Sequence, residues 1–121
     1  FDSTPEKDFA AILERDRAVL KWIRPPDGNV PIYYKGHHNY TPDFIVETAA
    51  NKYIVEIKAR GELVPNLNAE VRDKALAAIR WCATASDIKG SKPWEYKLIP
   101  DNAVDPARDM MFIFGHGLRV S

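Results

Sequence analysis

The alternation of apolar and polar positions divides the chain into short elements of both kinds. Phe9, Ala10 and Leu13 form one stripe at the i, i+3 and i+4 spacing of a helix, and Glu6 lies on that stripe. Ser3-Thr4-Pro5-Glu6 supplies the helix start. Ser3 can accept from the first free amides, and Glu6, three residues on, can reach back to complete a capping box. The spacing predicts a helix to about Asp16, with Glu6 facing inward or along a core edge. Val19 to Ile23 reads as extended, Pro25-Pro26-Asp27-Gly28 as a turn, and Pro31 to Lys35 as a strand. Phe44-Ile45-Val46 and Tyr53-Ile54-Val55-Glu56-Ile57 are β-type runs joined by Thr48-Ala49-Ala50-Asn51, the pattern of a hairpin. Asn66 or Asn68 then caps a helix to about Ala85, with Val71, Ala75, Ala78, Ile79 and Cys82 on its apolar face. Trp94 to Ile99 is a further strand, and Met110 to Phe114 a last strand or a short helix. The order α-β-β-β-α-β predicts an α/β (α+β) chain: a mixed β-sheet flanked by helices.

Length sharpens this picture. With 121 residues the chain is one domain, and its longest apolar run, Met110 to Phe114, is far shorter than the ~20 residues of a membrane span. Cys82 is the one cysteine and forms no internal disulfide. With no basic and apolar leader in view, a cytoplasmic setting without membrane contact is expected. The chain opens on Phe1, not Met, and reads as a piece of a longer polypeptide. Lysine plus arginine equals aspartate plus glutamate, 17 each, so a nucleic-acid partner has to be held by local charge or by help from outside this chain.

The hairpin carries the candidate chemistry. A turn centred between Ala49 and Ala50 pairs Glu47 with Lys52, Val46 with Tyr53, Ile45 with Ile54, and Asp43 with Glu56. Directly opposed Cβ atoms lie ~4.5 to 5.5 Å apart, where like charges repel, so the two acids call for a compensating cation. Lys58 shares a face with Glu56, roughly 6.6 Å along the strand. Oxygen donors of this kind suit Mg²⁺, with Mn²⁺ as a substitute. Such an ion polarises a phosphodiester and acidifies an attacking water, while Lys58 orients that water or offsets negative charge. The acid-x-Lys triplet alone is weak, since Glu95-Tyr96-Lys97 and Asp87-Ile88-Lys89 repeat it. The apolar strand before Glu56 and the Pro42-Asp43 opposite set it apart. The alternative makes Asp43 a turn residue after Pro42 and leaves Glu56 and Lys58 on a solvated strand face.

Tyr40-Thr41-Pro42-Asp43-Phe44-Ile45-Val46 followed by Tyr53-Ile54-Val55-Glu56-Ile57-Lys58 resembles the PD-(D/E)XK nuclease superfamily. With Glu6 and Phe9, Lys74 through Trp81-Cys82, and Lys92 to Ile99, the stretch from about Ser3 to Asp101 is similar to the C-terminal nuclease domain of type III restriction enzyme Res subunits. The resemblance implies a restriction-endonuclease-like core and Mg²⁺-dependent cleavage of double-stranded DNA. It also implies an ATP-driven helicase-like motor domain of the same polypeptide and a partner methyltransferase (Mod) subunit. By position it makes Asp43 and Glu56 metal ligands, adds the Ile57 main-chain carbonyl, makes Lys58 the catalytic lysine, and sets Glu6 beside the site as a first-helix acid. Glu6 as a mere capping residue stays equally open. Lys74, His38 and Arg60 are the candidate DNA contacts, Lys74 being equally readable as a solvated helix flank. No G-x-x-x-x-G-K-[ST] loop occurs, so ATP enters only through a motor domain outside this chain.

Three other readings compete. One is a transposon-end or other PD-(D/E)XK nuclease, and one is a non-catalytic DNA-binding or docking module. The third is a metal or general-base site at Gly36-His37-His38-Asn39, where paired histidines stand without a second well-spaced group. Trp22, Trp81 and Trp94 sit in amphipathic contexts that favour packing over base stacking.

Overall fold

The computed structural model describes residues 3–121. Helix α1 spans Thr4–Arg15. Strands β1 (Val19–Ile23), β2 (Tyr33–Tyr34), β3 (His38–Asn39), β4 (Phe44–Thr48) and β5 (Lys52–Lys58) follow. Helix α2 (Ala69–Ser86), β6 (Trp94–Pro100) and helix α3 (Met110–Phe114) complete the order. Four strands form one mixed sheet in the order β1-β4-β5-β6, with β1, β4 and β5 antiparallel and β6 parallel to β5. The fold is α+β, and no helix among the described residues is long and apolar enough to cross a membrane.

The hairpin register follows the symmetric pairing: Phe44 faces Val55, Ile45 faces Ile54, Val46 faces Tyr53 and Glu47 faces Lys52. Its central strand β5 is buried along Tyr53 to Ile57 because apolar layers cover both faces. On one face Phe44, Val46, Tyr53 and Val55 pack with Phe9, Ile12 and Leu13 of α1 and with Met110, Ile113 and Phe114 of α3. On the other, Ile54 packs with Ala77, Ala78 and Cys82 of α2 and with Val30, Ile32 and Tyr40. Cys82 is buried and free, and burial pushes its thiol up to about 12. Trp81 and Trp94 meet edge to face at 4.9 Å and Trp22 tilts against Phe44 at 5.9 Å, so all three tryptophans serve packing.

Both long helices are capped as the sequence predicts. Ser3 Oγ accepts from the Glu6 amide at 3.3 Å. The return half of the box differs, because the Glu6 carboxylate accepts a hydrogen bond from the Ser3 hydroxyl instead, at 2.9 Å. Asn68 Oδ1 accepts from the amides of Glu70 (2.9 Å) and Val71 (3.2 Å). Asn68→Ala should cost about 1 kcal/mol, because two first-turn donors lose their acceptor. A urea-midpoint shift with unchanged slope checks this, and an unmoved midpoint refutes it.

Two expectations are corrected. Pro31 to Lys35 does not join the main sheet. Only Tyr33–Tyr34 is extended, paired with His38–Asn39 in a separate two-stranded ribbon, because Ile32 and Tyr40 at its base pack into the core on the α2 side of the sheet and not along a sheet edge. Ile79 is 36% exposed and Ala77 is buried, because the covered stripe of α2 runs through Val71, Ala75, Ala78, Cys82 and Ala85, with Ala77 on its inner rim and Ile79 on its outer one. Met110 to Phe114 proves to be a helix, capped by Asp109, whose Oδ1 accepts from the Phe112 amide at 2.8 Å.

Candidate active site

Continuing the β4–β5 register one step beyond Phe44 and Val55 sets Asp43 opposite Glu56, and the side chains complete the ladder there. The Asp43 amide donates to Glu56 Oε1 at 3.1 Å, and the Ile57 amide donates to Asp43 Oδ2 at 2.9 Å. Where β4 stops, a carboxylate thus supplies the acceptor that the next strand residue would have supplied. Tyr40, buried at the end of the ribbon, donates its hydroxyl to Glu56 Oε1 at 2.8 Å. Lys58 stands on the Glu56 face with Nζ 3.5 Å from Oε2.

Glu56 is buried, whereas Asp43 and Lys58 keep part of their surface in solvent. Burial pushes the Asp43 carboxyl up to about 6; the Glu6 charge adds to the rise, and the Ile57 amide, Lys58 and Arg24 oppose it. Burial pushes Glu56 up to about 7, with repulsion from Asp43 second and the Tyr40 bond and Lys58 opposing. Desolvation pulls the Lys58 ammonium down, yet the charges of Glu56, Glu62 and Asp43 outweigh it and its pKa is raised. Lys58 thus stands as a cation beside Glu56. Burial and the Glu56 charge raise Tyr40 well above an ordinary phenol, so it stays a proton donor to Glu56. Two acids with raised pKa values thus share one edge with Lys58.

Glu6 comes from α1 and is buried. Its Oε1 accepts from the Arg24 guanidinium at 2.6 Å and its Oε2 from the Ser3 hydroxyl, so it joins the site through its field on Asp43 while holding the capping residue Ser3. Ile57 enters the site through its amide. Lys74 of α2 lies 5.4 Å from the centre of the Tyr34 ring and 5.9 Å from that of Tyr40, next to the carboxylates' own partner. Arg60 is exposed in the 3₁₀ turn after β5, where its amide donates to Asp101 Oδ1 at 3.0 Å. His38 is exposed on β3, its ring stacked on His37 at 4.5 Å.

Tyr40 and Arg24 are the residues to which sequence reasoning gave no role. The one signal was the position of Tyr40, three residues before Asp43. Arg24 also places its guanidinium 5.6 Å from the Phe44 ring centre, tying β1's exit to the start of β4.

Among the described residues no three His, Cys, Asp or Glu side chains gather as metal ligands, which leaves both the histidine pair and the carboxylate pair short of a third such ligand. The Asp43–Glu56 pair nonetheless fits a hard divalent cation. Its donors are carboxylate oxygens, of which Mg²⁺ needs only one or two while keeping its waters, and Asp43 keeps part of its surface open to solvent. A cavity of about 550 Å³ lies away from the carboxylates, between β6 and the segment from Gly115 to Ser121. Compared with family models, curated proteins and solved structures, the chain matches none.

Proposed function

We propose that the chain is a Mg²⁺-dependent endonuclease domain that hydrolyses DNA phosphodiester bonds, in the manner of the nuclease domain of type III restriction enzymes. The observation that carries this reading is the cross-strand pair Asp43 and Glu56, joined through the Asp43 amide at 3.1 Å, with Lys58 3.5 Å from Glu56. The mixed sheet between α1 and α2 is compatible with a restriction-endonuclease-like core. In this reading Asp43 and Glu56 hold the ion, and the partly exposed Asp43 and Lys58 face the phosphate. When bound, the ion supplies polarisation of the phosphodiester and a more acidic water. Lys58 holds its proton and offsets the negative charge that develops on the phosphate. Tyr40 keeps Glu56 oriented by donating to Oε1, leaving Oε2 toward Lys58. Double-stranded DNA is the substrate. The motor domain and the Mod subunit deliver it, which accords with a chain of zero net charge.

A Mn²⁺ titration followed by thermal melting tests the metal site without depending on delivery of DNA. At ten times Kd, one native-state site adds about 1.4 kcal/mol. The wild type should melt several degrees higher, and Asp43→Asn should not respond. An equal response of the two proteins removes the site from Asp43.

A further inference from the structure

The ribbon β2–β3 is longer than its two paired residues per strand. The Tyr40 amide donates to the Ile32 carbonyl at 2.7 Å, so the antiparallel run extends from Ile32 to Tyr40 around the turn Lys35-Gly36-His37. Its base is buried, with Ile32 and Tyr40 in the core and Tyr40 bonded to Glu56. One flank leans on α2, where the Tyr34 hydroxyl donates to Glu70 at 3.2 Å and Lys74 covers the Tyr34 ring. The turn sits in conformations that fix its direction, with φ of 50° at Lys35 and 81° at Gly36. The outer part is bare: Tyr33 is 54% exposed, and Lys35, His37 and His38 are exposed as well.

The composition of this finger is one-sided. No acidic residue occurs between Asp27 and Asp43, in a chain where acids and bases balance overall. At ~3.3 Å per residue the turn stands roughly 13 Å from Tyr40. The major groove of B-DNA is ~12 Å wide and admits a two-stranded ribbon. Tyr33, Lys35, His37 and His38 offer donors and an aromatic face; Lys35 is the one charged side chain of residues 32–40, and with Lys74 over the Tyr34 ring it sets two cations against the Glu70 carboxylate that Tyr34 bonds, a surface that suits phosphate contacts.

We infer that the ribbon of residues 32–40 is a duplex-gripping finger. It enters the DNA groove beside the carboxylate pair, with Lys35 on a backbone phosphate and Tyr33, His37 and His38 along the groove wall. The inference takes its substrate from the endonuclease reading and its geometry from the ribbon. Tyr40 links the two, joining the finger's base to Glu56 by one hydrogen bond.

The test is binding of a short fluorescein-labelled duplex in EDTA, read by anisotropy between about 50 and 200 mM KCl. Lys35→Ala should weaken binding several-fold and lower the slope of log Kd against log salt by about one, the loss of one phosphate contact. Lys89→Ala, an equal charge change at an exposed site beyond α2, should leave both unchanged. Melting of Lys35→Ala with and without Mn²⁺ should match the wild type. The inference is overturned if Lys35→Ala binds as the wild type does, if Lys89→Ala weakens binding as much, or if the wild type does not bind the duplex. If the Lys35 effect is found but wild-type Mn²⁺ stabilisation is not, the finger stands and the nuclease reading falls.

Discussion

In EDTA, the melting temperature should fall as pH rises from 4.5 to 8, and Glu56→Gln should flatten that fall. Asp43 and Glu56 ordinarily titrate at 3.8 and 4.5, and the fold raises them to about 6 and about 7. The folded state therefore binds protons more tightly than the unfolded chain. The stability this contributes is complete below the unfolded values and is lost as pH rises through the folded ones. For the coupled pair the shifts correspond to a few kcal/mol, enough to move the melting temperature by several degrees. Glu47, lowered by Lys92, works in the opposite sense but loses its contribution only as pH falls, below this window. Gln at position 56 keeps an acceptor for Tyr40 and the Asp43 amide while removing the charge. Calorimetry from pH 4.5 to 8 decides the matter, and equal slopes for wild type and Glu56→Gln would sink the prediction. Saturating Mn²⁺ should reverse the wild-type fall, because a dication and protons compete for the same oxygens.

Phe44→Ala should cost about 3 to 5 kcal/mol, a large part of the roughly 5 to 15 kcal/mol a domain possesses. Phe44 is fully buried and meets Phe9 edge to face at 5.2 Å and Trp22 at 5.9 Å, so its removal leaves a cavity between α1, β1 and β4. Leu20→Ala, on the outer edge strand where Leu20 is 60% exposed, should change stability by less than ~0.5 kcal/mol. Urea unfolding of both variants separates the two cases; similar midpoints would mean that Phe44 is not the core anchor its burial indicates. Because Phe44 follows Asp43, its loss should also loosen the backbone that aims the carboxylate. The Mn²⁺ shift of Phe44→Ala should then be smaller than that of the wild type.

The features legible in the chain were those fixed over a few residues. Ser3 and Asn68 announce helix starts because a cap bonds amides two or three positions on. The 44–58 hairpin announces its register because a short connection leaves few ways to pair two alternating strands, and with the register came the opposition of Asp43 and Glu56 and the shared face of Lys58. The helix face fared less well at Ile79, since periodicity marks a stripe but not which of its rims the sheet covers.

Tertiary structure decided the rest, through contacts between residues far apart in the chain. Periodicity gives no strand order, so the parallel placement of β6 beside β5 and the separate ribbon of Tyr33–Tyr34 come from packing between segments distant in the chain. The Glu6 bond to Arg24 and the Tyr40 bond to Glu56 join residues 18 and 16 positions apart, and neither leaves a mark on local spacing. The raised pKa values of the carboxylates belong to this class too. Spacing brings the charges together, but only the layers on either side of β5 remove the water that would have screened them.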